Sequence, residues 1–535
     1  MTVVAVSLVL SLPLAGRYFD RFNRDDDEIY RNAFANDVVF QAIGSQIPLF
    51  ECPDEDIERT YYFRWWTYRK HLRRTKDGTG WVVTEFLPDV GWAGAENTIA
   101  CPFGHHVMEG RWLRDQKYLD GYIDFMVTRG TMTGPRAYVN WPAWSARERA
   151  KVTGDFDFAR NRLDLFVRQY DNWRKGWAVR GLSLRDVGDA HGGKSVPIQA
   201  GFREDRGLFD IAGDCEGTEF ALSHDGARPM VNAAMWAEAS AIADIARGAG
   251  RADVAVRFER MASELEKNIK ARLWNPRKAF FTSLSVKGVH DDVCELHGYA
   301  PFYFAMSLKG YEAAWKPLMS ELGFCAPAGL TFPARDTPGF DLSVDLRNHE
   351  CLWNGPSWPY ATSVALTALY KTLQTGASLP VSAGDFVRLL KQYAAQQKRT
   401  REDGRVVAWI DENLDPIMGE WIARRHMIER ARKGIRKLAW AERGKDYNHS
   451  TFCDLVIAGL CGFVPQTDGR IVICPLAPVS WDWWCVDGIR YPGRDVTVLY
   501  DRDGARYGRG NGLVVLVDGR RVPFENCEIR LTQGE

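Results

Sequence analysis

The sequence predicts a mainly α chain, an (α/α)6 toroid closed by a small C-terminal β-sandwich-like module. Three observations predict it. About twelve helical stretches recur in pairs between residues 17 and 463. The breaks between pairs are either tight turns or irregular loops carrying acids and tryptophans. From residue 464 to 535 the apolar period shortens to that of strands, which is the change expected where one architecture gives way to another.

Residues 1–16 form a separate apolar segment, MTVVAVSLVLSLPLAG. It fits a signal-peptide core, a strand that opens the fold, or a start inside a longer reading frame, since no Lys or Arg precedes it. It therefore leaves export open. A charged stretch leads into helical spacing through Ile29, Phe34, Val38, Val39 and Ile43, ended by Pro48. Asp54–Arg73 reads as a helix with acids at its start and bases at its end, as the helix dipole favours. Its run Tyr61-Tyr62-Phe63-Arg64-Trp65-Trp66 is aromatic all round, so this helix is buried or lines a cavity. Helices follow at 115–129, 141–151 and 155–173, the last two joined by Thr153-Gly154-Asp155. Residues 176–225 lose the period, and a stretch of that length without helix is usually functional. The hairpin 229–248/252–273 turns at Gly248-Ala249-Gly250. Helices at 297–308, 311–322, 361–373, 383–397 and 450–460 complete the toroid. Short apolar strands at 471–473, 496–500 and 513–517 make the β module, with Asp-Gly turns at 503–504 and 518–519.

Lys+Arg and Asp+Glu both number 69, so no net charge points to nucleic acid or an anionic membrane as partner. No run of eighteen apolar residues offers a membrane span. The eleven cysteines include no CxxC, there is no HExxH, and His105-His106 are adjacent, so neither a metal nor a cofactor is expected. The 20 tryptophans exceed ordinary usage, and on loops they suit stacking against flat ligands.

Three irregular stretches share acids and aromatics. Asp214-Cys215-Glu216-Gly217-Thr218-Glu219 holds three carboxyls; Trp353-Asn354-Gly355-Pro356-Ser357-Trp358-Pro359-Tyr360 is a rigid aromatic loop. Trp409-Ile410-Asp411-Glu412-Asn413-Leu414-Asp415-Pro416-Ile417-Met418-Gly419-Glu420-Trp421 sets four acids between two tryptophans. Asp415-Pro416 and Gly419 keep that last stretch from being one helix. Acid-rich turns are often only solvated surface, but in a toroid all three breaks could converge on one mouth. Cleaving a glycosidic bond requires two carboxyl groups, one protonated and one ionised, which such loops can supply.

These stretches resemble the mannosylglycerate-hydrolase-like and glycoside hydrolase family 63 proteins of the trehalase-like six-hairpin glycosidase clan, over residues 18–463. Trp353-Asn354-Gly355-Pro356-Ser357-Trp358-Pro359 resembles the clan's W-x-G-P-x-W-P, and Glu412-Asn413-Leu414-Asp415-Pro416-Ile417-Met418-Gly419 resembles E-Y-x-D-P-x-T-G. The leading Glu of the second motif is the clan's general base, which implies that role for Glu412. The clan's acid lies in S-G-W-D; the corresponding Glu216-Gly217-Thr218-Glu219 departs from it, with Glu for Asp and Thr for Trp. Glu219 is the implied acid, and Asp214 and Glu216 are its rivals. The resemblance implies an inverting, exo-acting hydrolase of a small oligosaccharide or glycoside, with carboxyls about 6.5–9.5 Å apart. Expected sugar contacts are Arg64, Trp65, Trp92, His105, His106, Trp353, Asn354, Trp358, Trp409, Asp411, Lys445, Asn448 and His449. Arg64 is expected to ion-pair with an active-site acid, and the basic run 424–443 to be a solvated face or a flap. A polysaccharide lyase using a His or Tyr base, a glycoside phosphorylase, and a non-catalytic carbohydrate binder are the alternatives. Sugar, linkage and oligomeric state are not encoded legibly.

Overall fold

The computed structural model describes residues 9–129, 138–178, 199–343, 350–434, 442–523, 525 and 527–530. The chain is mostly helical, with α1 Pro13–Asp25, α2 Glu55–His71, α3 Phe103–Gly110, α4 Lys117–Thr128, α5 Pro142–Thr153 and α6 Leu163–Lys175 in its first third. Then come α7 Pro229–Gly248, α8 Ala252–Arg272, α9 Pro359–Leu373, α10 Ala383–Gln396 and α11 Ile422–Arg432. Shorter helical turns lie at Leu296–Tyr303 and Phe452–Leu460.

Local chemistry sets the helix starts. Asp54 accepts the Ile57 amide at 3.0 Å, and acids open α2 while Arg69, Lys70 and His71 close it. Ser382 and Asp385 form a reciprocal capping box on α10. Pro142, Pro229 and Pro359 each stand at a first turn, where a missing N–H is harmless. From Thr60 to His71 every residue of α2 is buried, as its all-round aromatic character predicts.

Packing runs in a closed circuit. α2 touches α10, α10 touches α9, and α9 touches the 296–303 turns, which touch α7. From α7 the contacts pass to α5, to α3, to Phe452–Asp454 and back to α2. α8 lies along α7, and α1 along α2, outside that circuit.

After residue 464 the expected strand character holds, and the larger sheet borrows a strand from the helical part. β1 Leu49–Glu51 pairs with β2 Trp483–Tyr491, which pairs in turn with β3 Arg494–Asp501, β4 Gly512–Val517 and β5 Arg520–Arg521, all antiparallel. The module also holds a two-stranded parallel pair, Val472–Ile473 with Glu528–Ile529. Strand β2 of the larger sheet packs against α5.

Three expectations change at the level of elements. Residues 1–8 lie outside the described part, but Val9 and Leu10 amides bind the Asp487 carboxylate at 2.6 and 2.7 Å, and α1 begins at Pro13. The described end of the apolar segment is thus fixed to the sheet. The helix expected over 29–43 is reduced to a 3-10 turn at Asn36–Val38 and a π turn at Phe40–Gly44. That expected over 311–322 survives only as Glu312–Trp315, because Pro317 follows and its carbonyl accepts the Phe324 amide at 3.0 Å, reversing the chain.

Candidate active site

The first loop leaves strand Leu208–Asp210, makes one helical turn at Gly213–Glu216 and reverses at Gly217. Gly217 has φ +76°, and a Cβ there would lie 2.7 Å from Cys101 Sγ. Phe220 is held at φ +62°, a conformation costly for an aromatic residue and typical of functional loops. Between them Glu219 is partly exposed, and its backbone carbonyl accepts the Trp353 amide at 3.1 Å. Burial raises the Cys101 and Cys351 thiols and the Tyr138 hydroxyl, and the Glu219 charge adds to all three.

Glu216 faces the other way. Fully buried, it accepts from Arg228 Nε at 2.7 Å and from the Val231 amide at 3.3 Å, with His297 Nδ1 at 3.3 Å. Although burial raises its pKa, Arg228 and His297 more than offset this and bring it down to about 2. A buried guanidinium that keeps this carboxylate ionised works against its holding a proton. The Asp214 side chain lies outside the described residues.

The second loop is pinned by Trp358, whose Nε1 donates to the Leu352 carbonyl at 2.9 Å. Trp353 and Trp358 stack at 4.1 Å and 4°. Trp353 Nε1 and both polar atoms of the Asn354 amide are buried without a hydrogen-bond partner among the described residues. A two-way backbone pair between Ser357 and Leu414, 2.9 Å each way, ties this loop to the third.

In the third loop Asp415 Oδ1 accepts the Ile417 and Met418 amides at 2.9 and 3.0 Å, while Gly419 (φ +73°) closes the turn. Asn413 caps the start of α11 through the Ala423 amide at 3.0 Å. Glu412 is thereby fixed at zero exposure. Its Oε1 accepts Arg443 Nε at 2.9 Å and a second bond from the Arg443 NH2 group. Its Oε2 lies 3.6 Å from the Cys351 thiol. Burial pushes this carboxyl up and the guanidinium opposes it; two donated bonds favour the ionised form. Asp411 behind it accepts the Glu412 amide at 2.9 Å and, chiefly by burial, is pushed up to about 6. Gly444 passes so close that a Cβ would meet Asp411 Oδ1 at 1.8 Å.

The Cys351 thiol, pushed up chiefly by burial, feels the charges of both Glu219 and Glu412 and lies against the second of them. Trp92 and Phe86 form the adjoining wall, with the Arg443 guanidinium 5.3 and 5.4 Å from their ring centres. Phe86 packs on Tyr447 and Tyr447 on His449, which leads to Tyr360, His105 and His297.

Several expected contacts are placed elsewhere. Arg64 makes no ion pair among the described residues; it donates to Asn448 Oδ1 at 3.2 Å and to the Tyr447 carbonyl at 3.4 Å, bracing the wall from behind. Trp65 is a core side chain, edge-on to Tyr61 and Tyr68. His106 spends both ring nitrogens on Tyr122 (3.1 Å) and the Asn448 carbonyl (2.6 Å). His105 is fully buried, 4.1 Å from the Tyr360 ring. Lys445 pairs with Asp26 at 2.6 Å and with Asp27, anchoring the N-terminal segment. Trp409 is a platform for Arg399 and Arg424. The basic run is solvated only in part: Arg425, Arg432 and Lys433 are exposed, whereas Arg424, Arg430 and Arg443 are buried; residues 435–441 lie outside the described part. Arg443, Cys351 and Glu85 were not singled out, although an acid inside the apolar Trp81-Val82-Val83-Thr84-Glu85-Phe86-Leu87 was a visible oddity.

The buried acids make stability pH-dependent. Burial pushes Glu85 and Glu238 up to about 8 and Glu109 up to about 7. The unfolded chain releases these protons near pH 4.3, so the folded form binds more protons across the interval and stability falls as pH rises. Buried His71, His105, His106 and His449 have lowered values and act oppositely, but only below about pH 6.5. From pH 6.5 to 8 the stability is therefore expected to fall, by up to about 1.4 kcal/mol per pH unit for each such acid, and the melting temperature with it. Calorimetry across that window checks it, and a rising curve would contradict it.

All eleven cysteines are free thiols, and among the described residues no cluster of three His, Cys, Asp or Glu could hold a metal ion. No described helix is long and apolar enough to cross a membrane.

The mannosylglycerate hydrolase MGH1-like glycoside hydrolase domain model matches residues 95–450. A solved structure named Sialidase is 33% identical over 96% of this chain and 44% of its own, with TM-score 0.82. The GH78 family rhamnosidase of Bacillus sp. GL1 is 14% identical over 91% of this chain and 43% of its own, with TM-score 0.54. This chain thus spans less than half the length of either. The GH63 mannosylglycerate hydrolase from Thermus thermophilus is 11% identical, covering 74% of this chain and 99% of its own at TM-score 0.48.

Proposed function

The chain belongs to the mannosylglycerate hydrolase MGH1-like glycoside hydrolases, and from that premise we propose an inverting, exo-acting hydrolysis in which Glu412 is the general base and Glu219 the general acid. The closed circuit of helices is, on this reading, the (α/α)6 toroid, with the three loops at one mouth. The observation that carries the assignment is the Glu412 carboxyl, held by Arg443 and 3.6 Å from the Cys351 thiol, with Glu219 in electrostatic reach of the same thiol, beside Trp92, Phe86 and Tyr447.

Each group has a task its surroundings suit. Glu412 is fixed by Arg443 through Oε1, which leaves Oε2 to hold a water and take its proton as the water oxygen bonds to the anomeric carbon. Glu219, less buried and flanked by the apolar Phe220, gives its proton to the leaving oxygen as the glycosidic C–O bond breaks. The adjacent His105-His106 pair does not suit the lyase alternative, because His106 has both nitrogens engaged and burial holds both rings neutral behind the wall.

The substrate is a glycoside carrying a carboxylate. A sialoside has one, as does the mannosylglycerate in the family's name. Time-resolved proton NMR of 4-methylumbelliferyl N-acetyl-α-neuraminide hydrolysis tests this, beside a panel of neutral aryl glycosides. The β anomer is expected to appear first. First release of the α anomer would overturn inversion, and turnover of neutral glycosides alone would overturn the anionic substrate.

A further inference from the structure

Glu85 has no role in the assignment above, yet it stands in the same wall. It follows the short strand Trp81–Val83 and is 6% exposed. Its Oε1 accepts from the Tyr447 hydroxyl at 3.2 Å, while His449 Nε2, 2.9 Å away, is not aligned for a hydrogen bond. Burial lowers the His449 imidazole and keeps it neutral, and its Nδ1–H donates to the Tyr447 oxygen at 2.7 Å, which leaves that hydroxyl's own proton for Oε1. The other oxygen, Oε2, is buried and has no hydrogen-bond partner among the described residues.

A buried carboxyl oxygen without a partner is costly as a carboxylate and much less so as a neutral acid awaiting an acceptor. Since Oε1 is the accepting oxygen, the proton belongs on Oε2. Burial favours that neutral state strongly, with the Tyr447 hydroxyl and Arg443 opposing it. The groups facing Glu85 are Tyr447, His449 and Arg443 from the 442–451 segment, Tyr122 from α4, Cys101 before α3, Tyr138, and Cys351 and Glu412 from the second and third loops. Of these only Arg443 and Glu412 carry charge, and they pair with each other. Neither Glu216 nor Lys445 comes within bonding reach, being tied to Arg228 and to Asp26 and Asp27.

We propose that Glu85 is a third carboxyl of the active site, kept as the neutral acid, whose Oε2–H donates a hydrogen bond to an oxygen of the bound glycoside. The inference rests on the reading of the Glu219–Glu412 mouth as the site. It gives Glu85 a contact with substrate and no part in proton transfer. An ionised Glu85 would instead set a second negative charge beside Glu412 and lose the donor, so activity declines on the alkaline side.

Isotope-edited infrared difference spectra of wild type against Glu85→Gln test the protonation directly. At pH 7 a protonated carboxyl C=O band is expected in wild type, absent from the variant and lost by pH 9.5. A missing band overturns the proposal whatever the substrate proves to be. With the umbelliferyl sialoside, Glu85→Gln, still a neutral donor, is expected to stay within about threefold of wild type in kcat/KM and to lack the alkaline decline. Glu85→Ala is expected to lose about 10²-fold, the scale of one removed donor at a transition state. Equal kcat/KM for all three would overturn the proposal, as would Glu85→Gln being as poor as Glu85→Ala, which would make Glu85 a proton donor. Glu412→Gln run in parallel separates the premises: activity there sinks the base assignment, while the infrared band and the Glu85 pair still decide Glu85.

Discussion

Glu412→Gln is expected to lower kcat by about 10³-fold, within the usual range for a general base, with little change in KM. The replacement keeps the side chain's shape and can still accept from Arg443 Nε and NH2 through its carbonyl oxygen. What it loses is the charge that lets Oε2 take a proton from water. Glu350 adds a second negative field at Arg443, and Asp411 holds the Glu412 amide, so the loop has reasons to stay in place. A thermal melt within a few degrees of wild type confirms that, and activity above a tenth of wild type would remove Glu412 as base. Glu219→Gln should behave differently. Its loss is expected to be large for an alkyl leaving group and small for a nitrophenyl one, which departs without a proton. Equal losses on both leaving groups would indicate that Glu219 positions substrate without protonating it.

Arg228→Met is expected to cost about 3–5 kcal/mol of stability, because breaking a buried pair leaves its partners charged and unpaired. Arg228 is 1% exposed and serves Glu216 at 2.7 Å, Glu295 at 3.4 Å, the Thr218 hydroxyl at 3.0 Å and the Ser223 carbonyl at 3.2 Å. Two of these four belong to the loop that presents Glu219. Denaturant titration of the single variant against Arg228→Met/Glu216→Gln separates charge from packing. The double variant is expected to regain part of the loss, since one uncompensated carboxylate is gone. No recovery would mean that lost packing, and not lost charge, dominates. At neutral pH the pair is complete; with the folded value of Glu216 lowered to about 2, its contribution is lost progressively as the pH falls from about 4.3 to about 2.

Much of this molecule was legible in its residues because the signals were local. Capping at Asp54 and Ser382, prolines at helix starts and the Gly248-Ala249-Gly250 turn fixed helix limits to within a residue or two. The rigid loops were legible too, since Asp415-Pro416 and Gly-Pro constrain backbone without outside help. Helix 311–322 failed because its period was right while Pro317 and Gly323 favoured a chain reversal. Among site residues, the motif positions Trp353, Asn354 and Glu412 occupy the loops expected, whereas His106, Arg64, Trp65 and Lys445 were drawn into hydrogen bonds, core packing or ion pairs with distant segments.

By itself, then, the sequence determined the helical class, the switch to strands after residue 464, the three irregular loops and the acids they carry, because each depends on neighbours in the chain. Only the tertiary structure decided which charges are paired. Glu216 meets Arg228 twelve residues away but also His297 across the fold, Arg443 leaves its basic run to hold Glu412, and β1 crosses more than 430 residues to complete the sheet. A buried charge is governed by what closes over it, and no local pattern records that. Glu85 is the sharpest case: one acid just after an apolar strand, buried where Tyr447 and His449 arrive from over 360 residues away.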